Sequence, residues 1–575
     1  MATISEHLGS RVALPSQNCR RAPMALPGAA ASLLAALFAC MVYALTIQTR
    51  PAHIDEFYHL LAGRSWAADG SFAILDGRYE RARLFTVMVG SSFDLFGRSD
   101  LWAARIPALL CSGISVGLVF HWLRQSGGIW SAVTGAALFA LAGYTLDIAH
   151  FARFYALHAL AILAAAGSLF VATRPESRFK PGWLTAAAFC LAIAAHLQPV
   201  TAIAAMTMGC WLLVDQRKTI GAMRPLHLVI LGTVALAGAA IVLSQADSAL
   251  ESYRHAERWA VGSQHDAYYY LREFWTQMPL MLMLWPVALV AAWRCNRSLA
   301  SLCAVMVTLC LALHSFAGMK AWRYSYYVFP FICMAYGLAI STLIERLGGT
   351  GSPLRPVALA GTALLLLMGG DLAYRHSARL MASALAQEPA SLAVRVPDGE
   401  WDKATAELRQ IAQGSSLLIT GDDLRTLAHI GPFDLFISHS RLGELKPPSD
   451  FNSDFRTGRP LIDSRAALSE VIDCMDSGVV IVSDHQWRNP MGVRPEIANE
   501  IERRLTPVPT HSSFHVYNWR HPTVRRACPH VGKQALPGTK GASVVRPLPP
   551  RGRCVPSGQS CPHAFLSIAA TAGAA

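Results

Sequence analysis

Apolar residues come in blocks of about 20 along this chain, the length that carries a helix across a bilayer. The first reads PGAAASLLAALFACMVYALTI. Later ones include LTAAAFCLAIAAHL with its neighbours and PVALAGTALLLLMGG. A large soluble core has no need of such blocks. Charged residues make up 15% of the chain and hydrophobic residues 53%, against roughly 25% charged in soluble domains. Mean hydropathy is +0.33. The chain reads as a polytopic α-helical membrane protein. Length and polar breaks place spans near 27–48, 101–122, 128–146, 155–173, 182–197, 199–214, 226–243, 278–293, 299–317, 325–344 and 355–370, about 11 transmembrane helices in all. The first block contains LFAC, which resembles a lipoprotein cleavage box. It runs on past the 7–15 or so residues of a signal h-region and is read as a retained helix.

Charge sets the expected orientation. With residues 1–26 as a cytoplasmic arm, the inner loops are HWLRQSGG, TRPESRFKPG, DQRKTIGAMRP, WRCNRS and ERLGGTGSPLRP, and each carries Lys or Arg. That fits the positive-inside rule. The stretch RLFTVMVGSSFDLFG is too short to span and apolar on one face, so it is expected to lie along the interface. The first outer loop, 49–100, is rich in arginine against the rule. Long loops cross regardless of charge, and the arginines hint at an anion. The net charge of +13 is read first as Lys and Arg that hold a membrane orientation, and no nucleic-acid signature accompanies it.

Composition changes after the last span. Within 371–525, β-rich runs (SSLLITGDD, FDLFISHS, GVVIVSDH, FHVYNWRH) alternate with helical ones (WDKATAELRQIAQ, RPEIANEIERRL). This predicts a small C-terminal α/β domain, extracytoplasmic if the span count is odd. Residues 526–575 are rich in Pro, Gly, Arg and Ser without periodicity and read as a disordered tail. Most of the 13 Cys lie in apolar segments, where they behave as small hydrophobes. Cys474, Cys528, Cys554 and Cys561 lie in the polar part, and a disulfide among them stays unassigned.

Four polar clusters fall on the outer side under this topology: HIDEFYH, DIAHFARFYALH, HLQP and GMKAWRYSYYVFP. Ionisable groups at membrane depth are costly and usually functional. Asp55 and Glu56 supply carboxylates for acid/base work; a solvated loop is their plainer reading. His53, His59 and Asp55 could form a divalent metal site, but their spacing matches no recognised ligand pattern, and neither a metal nor another cofactor is expected. Arg153 offers bidentate donors to a phosphate, or anchors the interface by snorkelling. Tyr155 fits an aromatic belt equally well. Lys320 and Arg323 form a second cationic pair. His196 and Gln198 read most simply as polar helix-end contacts. Carboxylates on one loop and cations on others suit a reaction whose leaving group is a phosphate and whose nucleophile must lose a proton.

The ordered set of motifs resembles the GT-C superfamily of membrane glycosyltransferases, nearest the branch of protein O-mannosyltransferases and lipid A aminoarabinose transferases (glycosyltransferase family 39). It comprises the acidic HIDEFYH, then LFGRSDLWAARIPAL, FARFYAL and RYSYYVFP. It covers about residues 28–345, which lie within the expected transmembrane module 27–370. Where the family has Glu before Ala-Arg-x-Tyr, this chain has Phe151, with Asp147 and His150 nearby. The juxtamembrane helix begins ERARLF rather than with the family's proline-rich start.

The resemblance implies a polyprenyl-phosphate-linked sugar donor and an acceptor that is lipid, protein or polysaccharide. It places the enzyme in a bacterial inner membrane with its catalytic face outside. It implies Asp55 as general base, Glu56 orienting acceptor or sugar, Arg153, Tyr155, Lys320 and Arg323 on the donor phosphate, and Arg105 bracing the first loop. Two rival readings remain. A lipid or solute transporter or flippase would show inverted repeats, and no repeat is visible here. A non-catalytic scaffold is kept open by Phe151.

Overall fold

The structure, a computed structural model, describes residues 28–177, 179–221, 223–229, 266–347, 398–438, 450–490 and 492–521, with a few single positions elsewhere. The arm 1–26, the expected span 355–370, most of 226–243, nearly all of 371–397 and the tail 526–575 lie outside the described residues.

The first helix, α1 (Gly28–Thr46), shows why the chain needs a bilayer. Leu33, Leu34, Leu37, Phe38 and Met41 are each more than half exposed, while Ala39, Val42 and Tyr43 are buried. A continuous leucine-rich face of this kind would aggregate in water; in lipid it is a normal surface. Its buried side packs on α4 (Leu101–Ala140). That 40-residue element is broken at Gly128, where φ is +84°. Only glycine adopts this conformation at no steric cost, and it divides α4 near the boundary expected between the second and third spans. There follow α5 (Gly143–Ala149), α6 (Tyr155–Ala172), α7 (Lys180–Leu197) and α8 (Thr201–Asp215). A bent pair comes next, α9 (Tyr269–Gln277) and α10 (Pro279–Cys295), at 102°. Then come α11 (Arg297–Ser315), a 3-10 turn (Trp322–Val328) and α12 (Phe329–Leu347). Among the described residues, 5 helices are long and apolar enough to cross a membrane, or 6 with the bent pair. The protein is a multi-pass membrane protein. Every expected span outside 226–243 and 355–370 is helical over most of its length.

Between α1 and α4 the first loop is itself built. It holds α2 (Glu56–Asp69), a small antiparallel hairpin of β1 (Ala73–Ile74) and β2 (Gly77–Arg78), and α3 (Arg83–Phe96). The last is the amphipathic segment expected at the interface. Helix α2 carries no amphipathic signal because Phe57, Tyr58, His59, Leu60 and Leu61 are buried on every side of it.

The C-terminal domain is α/β, as its alternating runs predict. Its helices are α13 (Glu400–Gln413), α14 (Asp423–His429), α15 (Arg465–Cys474) and α16 (Pro495–Arg504). Its strands are β3 (Leu418–Thr420), β4 (Leu435–Ile437), β5 (Leu461–Ile462), β6 (Ser477–Ser483), β7 (Thr506–Pro507) and β8 (Phe514–Arg520), in the order β5-β4-β3-β6-β8-β7. The first four in that order run parallel, and β8 is antiparallel to both neighbours. Helix α13 packs Trp401, Ala404 and Leu408 on one face of the sheet. Helix α14 reaches down to α2, where Phe57 meets the His429 ring at 6.0 Å and Arg425 lies over Phe57 at 5.9 Å.

Candidate active site

The acidic loop is organised by one ion pair. Glu56 opens α2 and Arg105 sits one turn into α4; both side chains are fully buried. Arg105 grips the carboxylate with two bonds, Nε to Oε1 and one terminal amine to Oε2, each 2.8 Å. Its remaining donors reach the carbonyls of Ile47 (2.8 Å), Arg50 (3.0 Å) and Pro51 (3.3 Å). The Glu56 oxygens also accept from the backbone N–H of His53 (2.9 Å) and Ala152 (2.8 Å). A carboxylate has about four acceptor sites, and all four are used here. Burial pushes the Glu56 carboxyl up, but Arg105 and the other donors outweigh it and hold it below its ordinary value. Glu56 therefore has no lone pair left for an acceptor or a sugar. It ties the end of α1, the loop 47–53, α4 and the loop before α6 into one knot.

Asp55, one residue earlier, faces the other way. Its Oδ2 lies 3.2 Å from a terminal amine of Arg323 and 3.8 Å from His53 Nδ1, and its side chain is 21% exposed. Burial raises its pKa, but Arg153, Arg323, His53 and Arg456 together draw it below the usual carboxylate range. The Arg323 Nε also donates to the Tyr155 hydroxyl at 3.3 Å. Arg153 is 5% exposed. One of its amines donates to the Tyr79 hydroxyl (2.8 Å) and to the Asp55 carbonyl (3.3 Å). Its Nε is buried with no protein acceptor.

Asp55, Arg153, Tyr155 and Arg323 thus come together, from loops far apart in the chain. The Lys320 amine donates to the Ala317 carbonyl at 2.7 Å and its charge faces Asp266. Asp147 accepts at its backbone carbonyl from Arg50, and its carboxylate lies 3.9 Å from the same guanidinium. Arg50 also lies 4.9 Å over the ring of Phe151. His53 touches the edge of that ring and accepts from the Asp55 N–H. His59 is buried between Tyr79, Phe85 and Phe154 and bonded to Thr86 at 2.9 Å. His150 is bonded to Thr46 (3.1 Å) and the Tyr43 carbonyl (3.0 Å), joining α5 to α1. His196 meets the N–H of Leu84 at the start of α3. Gln198 accepts from Arg81 at 3.0 Å. Among the described residues, no group of three or more His, Cys, Asp or Glu converges as a metal would require.

Sequence reasoning passed over three residues of this neighbourhood. Arg81 lies 5.2 Å over Phe154. Tyr58 and Tyr79 stack at 4.8 Å beside Arg153. The arginine richness of the first loop was the one signal for Arg81. The two tyrosines carried none, since a tyrosine in a loop is unremarkable by itself.

This fold, with a helical membrane module, a built loop between α1 and α4 and a C-terminal α/β domain, is similar to that of solved structures. ArnT from Cupriavidus metallidurans in its apo state aligns at a TM-score of 0.56 and 15% identity, covering 85% of this chain and 98% of that one. The same protein bound to undecaprenyl phosphate aligns at 0.55 and 14% identity, covering 86% and 98%. An Archaeoglobus fulgidus oligosaccharyltransferase tethered with an acceptor peptide aligns at 0.47 and 11% identity, over 70% of this chain and 63% of its own. No family model matches the chain, and no curated relative does.

Proposed function

We propose that this protein transfers a sugar from a polyprenyl-phosphate-linked donor to an acceptor on the outer face of a bacterial inner membrane. The observation that carries the reading is Asp55: a carboxylate paired with Arg323, beside an Arg153 with a buried open donor, where the outer loops meet the membrane helices. The fold likeness to a protein solved with undecaprenyl phosphate supports the donor class. The disulfide on Cys474 supports an oxidising, extracytoplasmic side for the α/β domain.

Asp55 takes the proton from the acceptor's hydroxyl or amine. The freed lone pair attacks the anomeric carbon, and the bond from that carbon to the phosphate oxygen breaks. Polyprenyl phosphate leaves with the bonding electrons and one more negative charge. Arg153 and Arg323, fixed in advance, stabilise that charge as it grows, and the Tyr155 hydroxyl lies within reach of the same group. Attack opposite the leaving group inverts the anomeric centre. Arg323 serves two anions in turn: when the donor phosphate draws on it, Asp55 loses part of its stabilisation and becomes a better base. Glu56 and Arg105 act by holding the loop. The carboxylate stands at the lipid surface because the donor's polyprenyl chain keeps the reactive carbon there.

The test is release of free polyprenyl phosphate by the purified protein from a panel of polyprenyl-phosphate sugars and a crude acceptor extract. Asp55→Asn should insert normally and release none, and Arg153→Ala should bind donor more weakly. Normal turnover by Asp55→Asn removes the base assignment.

A further inference from the structure

The α/β domain has had no part in the chemistry so far, yet it reaches the site. Its turn 454–458 is pinned from within by Asp454, whose Oδ2 accepts from the N–H of Arg456 (3.1 Å), the N–H of Thr457 (2.9 Å) and the Thr457 hydroxyl (2.9 Å). The turn seats on the hairpin of the first outer loop. The Thr457 carbonyl accepts from the N–H groups of both Asp76 and Gly77 at 2.9 Å. The backbones come so close that a Cβ on Gly77 would run into the Arg456 carbonyl, and one on Gly458 (φ +71°) would lie 2.7 Å from the Asp76 carbonyl carbon. Arg459 adds an ion pair to Asp76 at 3.2 Å.

That clasp points Arg456 inward. Its side chain is 12% exposed, and one amine reaches both oxygens of Asp423 at 3.2 and 3.0 Å. Its guanidinium carbon lies 5.5 Å from the centre of the Tyr58 ring. The guanidinium of Arg153 lies 5.5 Å from the same ring. Tyr58 stacks on Tyr79, whose hydroxyl accepts from Arg153. One aromatic pair is therefore shared by a cation of the outer domain and the cation expected on the donor phosphate. Mere attachment of the domain does not call for a cation on that ring, since Thr457 and Arg459 already attach it.

We infer that Arg456 is a positioning residue of the membrane site, contributed by the outer domain, which sets Arg153 and the Asp55 loop through the Tyr58–Tyr79 stack. The inference rests on the transferase reading above and gives the α/β domain a task within it: the donor site is complete only when the domain is seated.

The experiment measures binding of polyprenyl phosphate to the full-length protein in nanodiscs, for wild type, Arg456→Gln, Arg456→Lys and Arg459→Ala, with protease protection of the α/β domain as a check on seating. Mutations at residues that act through others shift such couplings by about 2- to 30-fold. Arg456→Gln should weaken binding within that range while the domain stays protected; Arg456→Lys should fall between it and wild type. Arg459→Ala, which loses an equally close docking contact, should bind within about twofold of wild type, below the range for coupled residues. In kcat/KM, the acid-side fall should move to higher pH in Arg456→Gln alone, because Asp55 then loses one of the cations that draw its pKa down. Equal binding by wild type and both Arg456 variants overturns the inference and leaves the donor reading intact. So does an Arg459→Ala loss as large as that of Arg456→Gln. Should Arg456→Gln fail to fold, wild-type binding by Arg456→Lys overturns it. No binding by wild type removes the donor reading, and the inference with it.

Discussion

Replacing Arg105 by alanine should be among the most damaging single changes outside the chemistry itself. Both members of the Glu56–Arg105 pair are fully buried. Removing the cation leaves a buried carboxylate held only by two backbone N–H groups, and strips the Ile47, Arg50 and Pro51 carbonyls of their donor. Breaking a buried pair from one side costs about 3–5 kcal/mol, or roughly two to three and a half decades in the folded-to-unfolded ratio. Arg105→Lys should recover little, since an ammonium cannot reproduce a fork that spans two carboxylate oxygens and three carbonyls. The double change Glu56→Leu with Arg105→Met removes both charges and should land between wild type and Arg105→Ala. It cannot return fully, because backbone groups left without partners still cost about 1–3 kcal/mol. Reversible unfolding by SDS titration, followed by tryptophan fluorescence, measures all four proteins. An Arg105→Ala variant within about 1 kcal/mol of wild type would show that the pair is replaced by water and holds nothing. A double variant less stable than Arg105→Ala would show that the charges are not the source of the cost.

Three further outcomes follow from the geometry. Asp55 is held below its unfolded value of about 3.9, so its contribution is present above that pH and is lost as pH falls through the folded value. The kcat/KM, which reports the free enzyme, should stay flat from neutrality down to about pH 4, and an acid limb there in the range of an ordinary histidine, about pH 6, would mean another group is the base. Gly77→Ala should open the clasp, costing about 1–3 kcal/mol, and expose the α/β domain to protease; unchanged protection would refute the close approach. Cysteines placed at the exposed positions Asp69 and Gln125, in a background without exposed native thiols, should label from opposite sides of the membrane. Labelling from one side would overturn the orientation.

How far the sequence could be read depended on the range of the interaction. The spans were visible because a helix in lipid must be apolar along its whole length, so each stretch carries its own signal. Four of the six strands of the α/β domain, β3, β4, β6 and β8, and the amphipathic helix α3 were visible for the same local reason. Asp55, Arg153, Tyr155 and Arg323 could be proposed together only through topology, which put their loops on one side. What no local pattern carries is partnership at a distance. Glu56 was expected to face substrate, but its partner Arg105 is 49 positions away, and nothing in HIDEFYH distinguishes the carboxylate that points into the protein from the one that points out. Lys320 and Arg323 look alike in GMKAWRYSYY, yet one turns to Ala317 and the other to Asp55. Helix α2 was hidden because it is covered on all sides, which erases periodicity. Arg456 was least legible of all, since its approach depends on how two domains dock.

The Glu56 knot also has a consequence for the order of events during synthesis. Its donors come from His53, Arg105 and Ala152, so a nascent chain that has emerged only through α4 can pair the two charges but cannot complete the carboxylate's shell. The loop before α6 must be delivered to the same side first. The hairpin then waits longer still, until the turn at Thr457 has been made and docked. Chains arrested during synthesis before residue 152 should therefore carry a first loop that is cut readily, and arrest beyond it should harden the loop in two stages, one for the knot and one for the clasp.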